Sequence, residues 1–284
     1  MHSNETKAAV VVTGASRGLG RSMALELSSR GFRVFAGVRK IGDADDLSRE
    51  SGGSLAPLIL DVTQTDSIAA AVQEVSREVG DKGLAGLINN AGITHFGPVE
   101  EASIECIEEQ FRVNLIGVIA VTQRFLPLLR RGRGRVVNIS SVNGRISFPF
   151  TGVYSASKFA LEAISDALRM ELKPWGIMVS VVEPGVTSTD IRARAMQAWA
   201  KDRQSLSPEK RKLYESSYEK SCSLIASLDQ AAAGHESVTN AVAYALTAEV
   251  PPIRSLVGPD ANQFTEMLTL PDEERDKILL GFWR

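Results

Sequence analysis

Tyr154 and Lys158 stand four residues apart in Tyr154-Ser155-Ala156-Ser157-Lys158, a spacing that puts two side chains on one face of a helix. An ammonium beside a phenol stabilises phenolate and lowers the phenol pKa. Such a tyrosine is usable as a proton donor or acceptor near neutrality. A tyrosine and a lysine one turn apart are also common on ordinary helices, so the pair needs context. Asn138-Ile139-Ser140-Ser141 ends an apolar strand shortly upstream and brings a hydroxyl, that of Ser141 before that of Ser140, to a strand's C-terminal end. Open α/β sheets bind ligands at that edge.

A second cluster, Thr13-Gly14-Ala15-Ser16-Arg17-Gly18-Leu19-Gly20, lies between an apolar strand and a helical stretch. Glycines there allow a tight turn and close approach to a pyrophosphate, and the following helix offers unpaired N–H groups. The GxxxGxG spacing departs from the commoner GxGxxG, and a purely structural turn is the competing reading. The second strand ends in Val38-Arg39-Lys40, with no carboxylate before Asp43. An acidic residue at this place binds adenosine ribose hydroxyls, whereas a cation accommodates a 2′-phosphate. Arg39, with Arg17 approaching from the glycine loop, favours NADP(H) over NAD(H), which stays the alternative; solvated surface arginines would carry no such preference. Asp61 and Val62 follow the third strand, placed to meet an adenine amino group and ring face, or to cap a turn. Arg130, Arg131, Arg133 and Arg135 form a basic cluster that reads as cations complementing a helix C-terminus rather than as a phosphate site.

The elements that must position these residues alternate between apolar runs and amphipathic stretches, the pattern of a parallel sheet covered by helices. Strands are expected at 8–12, 33–38, 56–60, 86–89, 135–139, 178–182 and 255–257. Helices are expected after Gly20, over 67–79, over 104–129 with a break near Asn114, and over 152–172; Pro127 kinks or ends the third of these. The expected fold is therefore α/β, a doubly wound (Rossmann) parallel sheet of seven strands with helices on both faces. An insert over about 191–252, with two or three amphipathic helices, is expected to cover the substrate before the last strand, the whole forming one domain. Met196, Trp199, Leu206, Tyr214, Tyr218 and Leu224 are its candidate pocket residues. His95 and His235 read as structural or surface histidines.

The bulk numbers set bounds. A chain of 284 residues with 44% hydrophobic and 23% charged residues is ordinary for a folded protein. A net charge of −2 gives no pull toward nucleic acid or an anionic membrane. Cys106 and Cys222 are far apart and form no metal-type spacing. The N-terminal residues lack a signal-peptide layout, and no integral membrane segment is expected, so a cytoplasmic location is expected too.

Taken together, the glycine turn, Asn89-Asn90-Ala91-Gly92, Ser141, Tyr154-x-x-x-Lys158 and Pro184-Gly185 stand in an order and spacing that resemble the short-chain dehydrogenases/reductases. The resemblance covers about Ala8 to Thr189 and returns near Val257-Gly258-Pro259. It implies Tyr154 as general acid/base, Lys158 as the group that lowers its pKa and binds the nicotinamide ribose, and Ser141 as the residue orienting the carbonyl or alcohol. It also implies Asn114 as a proton-relay residue. The cofactor contacts it implies are Gly14, Ser16, Arg17, Gly18, Leu19, Gly20, Arg39, Asp61, Val62, Asn90, Ala91, Gly92, Tyr154, Lys158, Pro184, Gly185 and Thr187 or Thr189. Phe96, Val142, Phe148 and Phe150, flanking the catalytic loops with Ser141 and Tyr154, are the substrate-pocket candidates. The runs at 34–40, 148–150 and 172–176 resemble the branch that contains retinol and steroid dehydrogenases, although the N-terminal anchor of many retinol-handling members is not seen. The implied activity is hydride transfer between a secondary alcohol and a ketone on a hydrophobic small molecule, in a homodimer or homotetramer. The alternatives are a non-catalytic NADP-binding sensor and a reductase of a carrier-bound substrate.

Overall fold

Short runs of β-branched and other apolar residues, buried on both faces at the centre and partly exposed at the two edges, pair into one parallel sheet. The structure is a computed structural model and describes residues 7–188, 190–232 and 234–281. Its strands are β1 (Ala9–Val12), β2 (Arg33–Val38), β3 (Ala56–Ile59), β4 (Gly86–Asn89), β5 (Arg135–Ile139), β6 (Met178–Pro184) and β7 (Arg254–Val257). They lie in the order β3-β2-β1-β4-β5-β6-β7, with every neighbouring pair parallel. This is the doubly wound seven-stranded sheet expected from the sequence.

The helices are α1 (Gly18–Ser29), α2 (Ile41–Glu50), α3 (Thr65–Val79), α4 (Ile104–Phe111), α5 (Val118–Gly132), α6 (Gly152–Leu172), α7 (Ile191–Gln204), α8 (Pro208–Leu213), α9 (Glu215–Ala231), α10 (Glu236–Thr247), α11 (Pro259–Glu266) and α12 (Asp272–Gly281). Period-two alternation sorts the strand residues onto two cores. Val10, Val12, Val34, Ala36 and Val38 meet Met23 and Leu27 of α1 and Val238 and Val242 of α10. Val11, Phe35, Leu87 and Val136 meet Ile68 and Val75 of α3 and Val121 and Phe125 of α5.

Four expectations are corrected. The insert is smaller than 191–252, because α10 belongs to the sheet-covering layer: its apolar face is part of the core, so only α7 to α9 remain over the substrate side. Pro127 does not end the helix region, which runs on to Gly132 with Pro127 on the exposed side. The expected break at Asn114 is a π-helical turn, Arg112–Gly117, joining α4 to α5; such turns are frequent at functional sites. Finally, by length and composition the run Ile104–Gly132 is apolar enough to cross a membrane, against the expectation that no segment would be. Its apolar face is used by the sheet, through Val121, Phe125, Leu128 and Leu129.

The basic cluster takes the structural reading. The Arg130 guanidinium lies over the Trp175 ring at 4.6 Å, and Arg135, at the start of β5, donates to the Ala245 carbonyl at 2.8 Å.

At the opposite end of β5 and β6, a charged network braces the loops after both strands. Arg254 on β7 reaches Glu162 at 3.0 Å, Glu183 at 3.3 Å and Asp166 at 2.8 Å, and Arg145 meets Glu183 at 3.3 Å. Glu183 is fully buried one residue before Pro184. Burial first, then the neighbouring Glu162, holds its carboxyl above the usual range, against the two arginines. Arg254→Met should therefore destabilise the protein by about 3 kcal/mol at pH 7, the low end for removing one partner of a buried pair. A carboxyl with a raised folded-state pKa favours folding when protonated, so the deficit should shrink as pH falls from 7 toward 5. Urea unfolding of the variant at both pH values checks this; a deficit independent of pH would show that Glu183 is not the group left exposed to repulsion.

Candidate active site

The loops that follow β1, β2, β3, β4, β5 and β6 at their C-terminal ends line a single cavity of about 640 Å³. The turn after β1 is built for close approach. Gly14 has φ +68°, and a Cβ on it would lie 2.8 Å from the Ala91 Cα. A Cβ on Gly20 would lie 2.2 Å from the Gly14 carbonyl oxygen. Only glycine leaves room at these two points. Thr13 ties the turn to β4: its hydroxyl accepts from the N–H groups of Asn90 and Ala91, both at 3.0 Å, and Asn90 Nδ2 donates to the carbonyls of Thr13 and Gly14. Asn89 Nδ2 donates to Asn138 Oδ1 at 2.9 Å and Asn138 Nδ2 to Ser165 Oγ at 2.8 Å, so the centre of the sheet is locked to α6.

That lock sets where α6 presents Tyr154 and Lys158. Lys158 is buried and donates to the Ile139 carbonyl at 2.8 Å, with its Nζ 5.8 Å from the Tyr154 ring centre. Burial pulls its pKa down to about 8, against the attraction of Glu162. The Tyr154 phenol is pushed up by burial, and hydrogen bonds to Ser141 and Thr94 and the charge of Arg192 oppose that shift. The expected lowering by Lys158 is thus not the dominant influence on Tyr154 in this structure; desolvation is. Ser141 caps the turn Val142–Gly144, accepting from the Asn143 N–H at 3.2 Å, and its side chain also hydrogen-bonds the Tyr154 phenol.

Asn114 is buried in the π turn and does not line the cavity. Its side chain is spent on Ile93, accepting from the N–H and donating to the carbonyl, both at 2.9 Å, and it donates to Ser157 Oγ at 3.1 Å. These bonds tie the loop after β4 to α6, so its side chain holds structure rather than facing the cavity.

Gly14, Ser16, Arg17, Gly18, Leu19, Gly20, Arg39, Asp61, Val62, Asn90, Ala91, Gly92, Pro184, Gly185 and Thr187 all line the cavity. Thr189 lies outside the described residues. Asp61 also serves the local turn, its Oδ1 accepting from the N–H and hydroxyl of Thr63 at 2.9 and 2.7 Å. A place on the cavity wall and a turn cap are thus compatible at Asp61. Phe96, Val142, Phe148 and Phe150 line the cavity as expected.

Of the insert candidates, Met196, Trp199 and Leu224 line it, joined by Ile225 and Leu228; Leu206, Tyr214 and Tyr218 do not. Tyr218 instead supports Trp199 from behind, ring centres 5.0 Å apart, while Phe150 stacks on Trp199 at 5.8 Å. Trp199 donates its indole N–H to Glu101 at 3.2 Å, anchoring α7 to the segment before α4.

Several lining residues carry no motif that marks them in the sequence, among them Thr94, Arg192, Arg194 and Phe264. The Arg194 pKa is lowered first by burial and then by repulsion from Arg17, with Arg39 adding to it. Arg194 thus feels the charges of Arg17 and Arg39, with Asp190 opposing them, and all four residues line the cavity. Phe264 reaches the cavity from α11, edge-on to Phe148 at 4.8 Å. His235 bonds Ser22 and Ser188, and neither His95 nor His235 lines the cavity.

Residues 8–199 match the short chain dehydrogenase family. Among curated proteins, 17-beta-hydroxysteroid dehydrogenase type 6 of Bos taurus is 49% identical over 193 residues, covering 68% of this chain and 59% of that protein. The mitochondrial D-beta-hydroxybutyrate dehydrogenase of Rattus norvegicus is 43% identical, covering 86% of this chain and 74% of that protein. Retinol dehydrogenase 16 of the same species is 40% identical, with 90% and 82% covered. Among solved structures, a short chain dehydrogenase of Burkholderia cenocepacia in complex with NADP superposes with a TM-score of 0.73 at 26% identity, covering 96% of this chain and 98% of that one.

Proposed function

The chain belongs to the short-chain dehydrogenase family, in its retinol and steroid dehydrogenase branch, and from that premise we propose an NADP(H)-dependent oxidoreductase that interconverts a secondary alcohol and a ketone on a hydrophobic small molecule. The observation that carries the reading is the cavity's two-sided wall. Ser141, Tyr154 and Lys158 line it from the loop after β5 and from α6, and Phe96, Phe150, Trp199, Leu224 and Ile225 line it too, all but Leu224 within one apolar cluster that joins α7 and α9 to the body.

The glycine cradle fits a dinucleotide. The missing side chains at Gly14 and Gly20 let the turn pack tightly against Ala91 and Asn90, and this tight turn lines the cavity beside the N-terminus of α1, the backbone shape that a pyrophosphate site needs. Arg17, Arg39 and Arg194 would hold a 2′-phosphate, Asp61 and Val62 the adenine, and Lys158 the nicotinamide ribose. When bound, the nicotinamide supplies or accepts the hydride.

The residues of the chain do the rest. Ser141 donates to the substrate oxygen and orients it. Tyr154 gives that oxygen a proton in reduction or removes it in oxidation. Lys158, adding positive charge on the same face, favours phenolate as the proton leaves. The aromatic wall excludes water and places the reacting carbon. The apolar lid supports a steroid-, retinoid- or polyketide-like molecule over a small polar acid.

The purified protein, supplied with NADPH or NADP⁺ and a panel of steroid, retinoid and aromatic ketones or alcohols, should change nicotinamide absorbance with at least one apolar pair. Turnover should be slower with hydroxybutyrate. Silence across the panel with both cofactors would overturn the reading and favour a carrier-bound substrate or a sensor. The cytoplasmic, homo-oligomeric enzyme expected from the sequence is part of this proposal and is checked by fractionation and light scattering.

A further inference from the structure

His95, Cys106 and Asp202 come from three separate elements and meet outside the catalytic cavity. His95 lies in the loop after β4, Cys106 in α4 and Asp202 near the end of α7. One nitrogen, one sulfur and one carboxylate oxygen from them all lie within 4.8 Å of one another. His95 Nδ1 and Cys106 Sγ are 2.9 Å apart. His95 is buried, Cys106 half-buried and Asp202 exposed, so the group is rooted in the body and open on the lid side. None of the three lines the cavity, and no role in alcohol or ketone chemistry engages them.

We propose that these three side chains bind one divalent transition-metal ion, zinc by the character of the ligands, and that the ion clasps the lid helix α7 to the body of the protein. A nitrogen, thiolate and carboxylate set suits zinc, which holds such ligands at about 2.0–2.3 Å. Around a tetrahedral ion at those bond lengths the ligand atoms stand roughly 3.5 Å apart, so only small side-chain movements separate the observed triangle from a coordinated one. A water completes the fourth position of the tetrahedral shell.

Metal binding takes Cys106 as the thiolate and His95 as the neutral imidazole. As the metal–sulfur bond forms, the Cys106 S–H bond breaks, its electron pair goes to the metal and its proton to solvent, with no change of oxidation state. Because α7 also carries Met196 and Trp199 of the cavity wall, the clasp would fix the wall opposite Tyr154.

Cobalt(II), which replaces zinc and reports its ligands by colour, tests this on the metal-free full-length chain. One equivalent should bind with a thiolate-to-cobalt charge-transfer absorption and be displaced by zinc. Cys106→Ser should abolish that absorption while Cys222→Ser keeps it, and Asp202→Asn should weaken binding on the order of 10-fold or more. Excess zinc should raise Tm by roughly 5 °C in the parent chain and by much less in Asp202→Asn. Circular dichroism confirms that each variant is folded. Absence of the charge-transfer band from the folded parent, or its survival in Cys106→Ser, overturns the site and leaves His95 and Cys106 as a plain hydrogen-bonded pair. The outcome does not depend on the substrate or cofactor reading of the cavity.

Discussion

Tyr154→Phe should lower kcat by about 10³-fold or more while leaving the dissociation constant for NADPH within a few-fold of the parent. General acid–base transfer contributes about 10²–10⁴ in rate, and the substitution removes only the hydroxyl. The ring stays, so its neighbours keep their packing. Lys158 does not depend on the tyrosine for its position, because its ammonium is held by the Ile139 carbonyl at the end of β5. The glycine cradle is fixed by Thr13 and Asn90, which lie at the ends of other strands. Steady-state kinetics on any pair found active, together with fluorescence titration of NADPH, checks both halves. Retained turnover would remove Tyr154 from the mechanism. A large loss of NADPH binding would instead show that the tyrosine shapes the cofactor site.

The second large effect is on cofactor choice. Arg39→Asp should lower the ratio of kcat/KM for NADPH over NADH by about 100-fold. A hydrogen bond to a charged group is worth about 1.5–3 kcal/mol, the introduced carboxylate adds repulsion toward a 2′-phosphate, and each ~1.4 kcal/mol is tenfold. Arg17 and Arg194 line the same end of the cavity and electrostatically influence each other there. Arg194→Ala should therefore weaken NADPH more than NADH, though by less than the charge reversal at Arg39. An unchanged ratio in Arg39→Asp would place the discrimination elsewhere. A ratio altered by Arg39→Asp and untouched by Arg194→Ala would confine it to the β2 end.

Strand ends bring most of the site into view from residues alone. A parallel strand that stops at Asn89, Ile139 or Pro184 delivers its next residues to one edge of the sheet, so register along the chain is enough to bring Asn90, Ser141 and Gly185 together. The glycine turn is legible for the same reason, since Gly14 and Gly20 are required by contacts within one β-turn-α unit and its neighbouring strand. Helix spacing likewise pairs Tyr154 with Lys158.

The docking of distant helices is not legible in this way. Amphipathic periodicity marks a face of α9 without saying what it covers, so Tyr218 reads as a pocket residue although it packs behind Trp199. The same ambiguity assigns α10 to the insert, although its apolar face closes the sheet. Arg194 and Phe264 reach the cavity only because α7 and α11 fold back over it, and His95, Cys106 and Asp202 meet only through that same docking.

Residue type and spacing were therefore enough for the fold, the acid/base pair and the charge facing the cofactor, because those depend on local period and strand order. Three other features emerged with the packed chain: which lid residues form the wall, the dominance of burial over Lys158 at the Tyr154 phenol, and the corner shared by three metal-type ligands. Each of these depends on distances between elements far apart in the chain, and no local pattern encodes such distances.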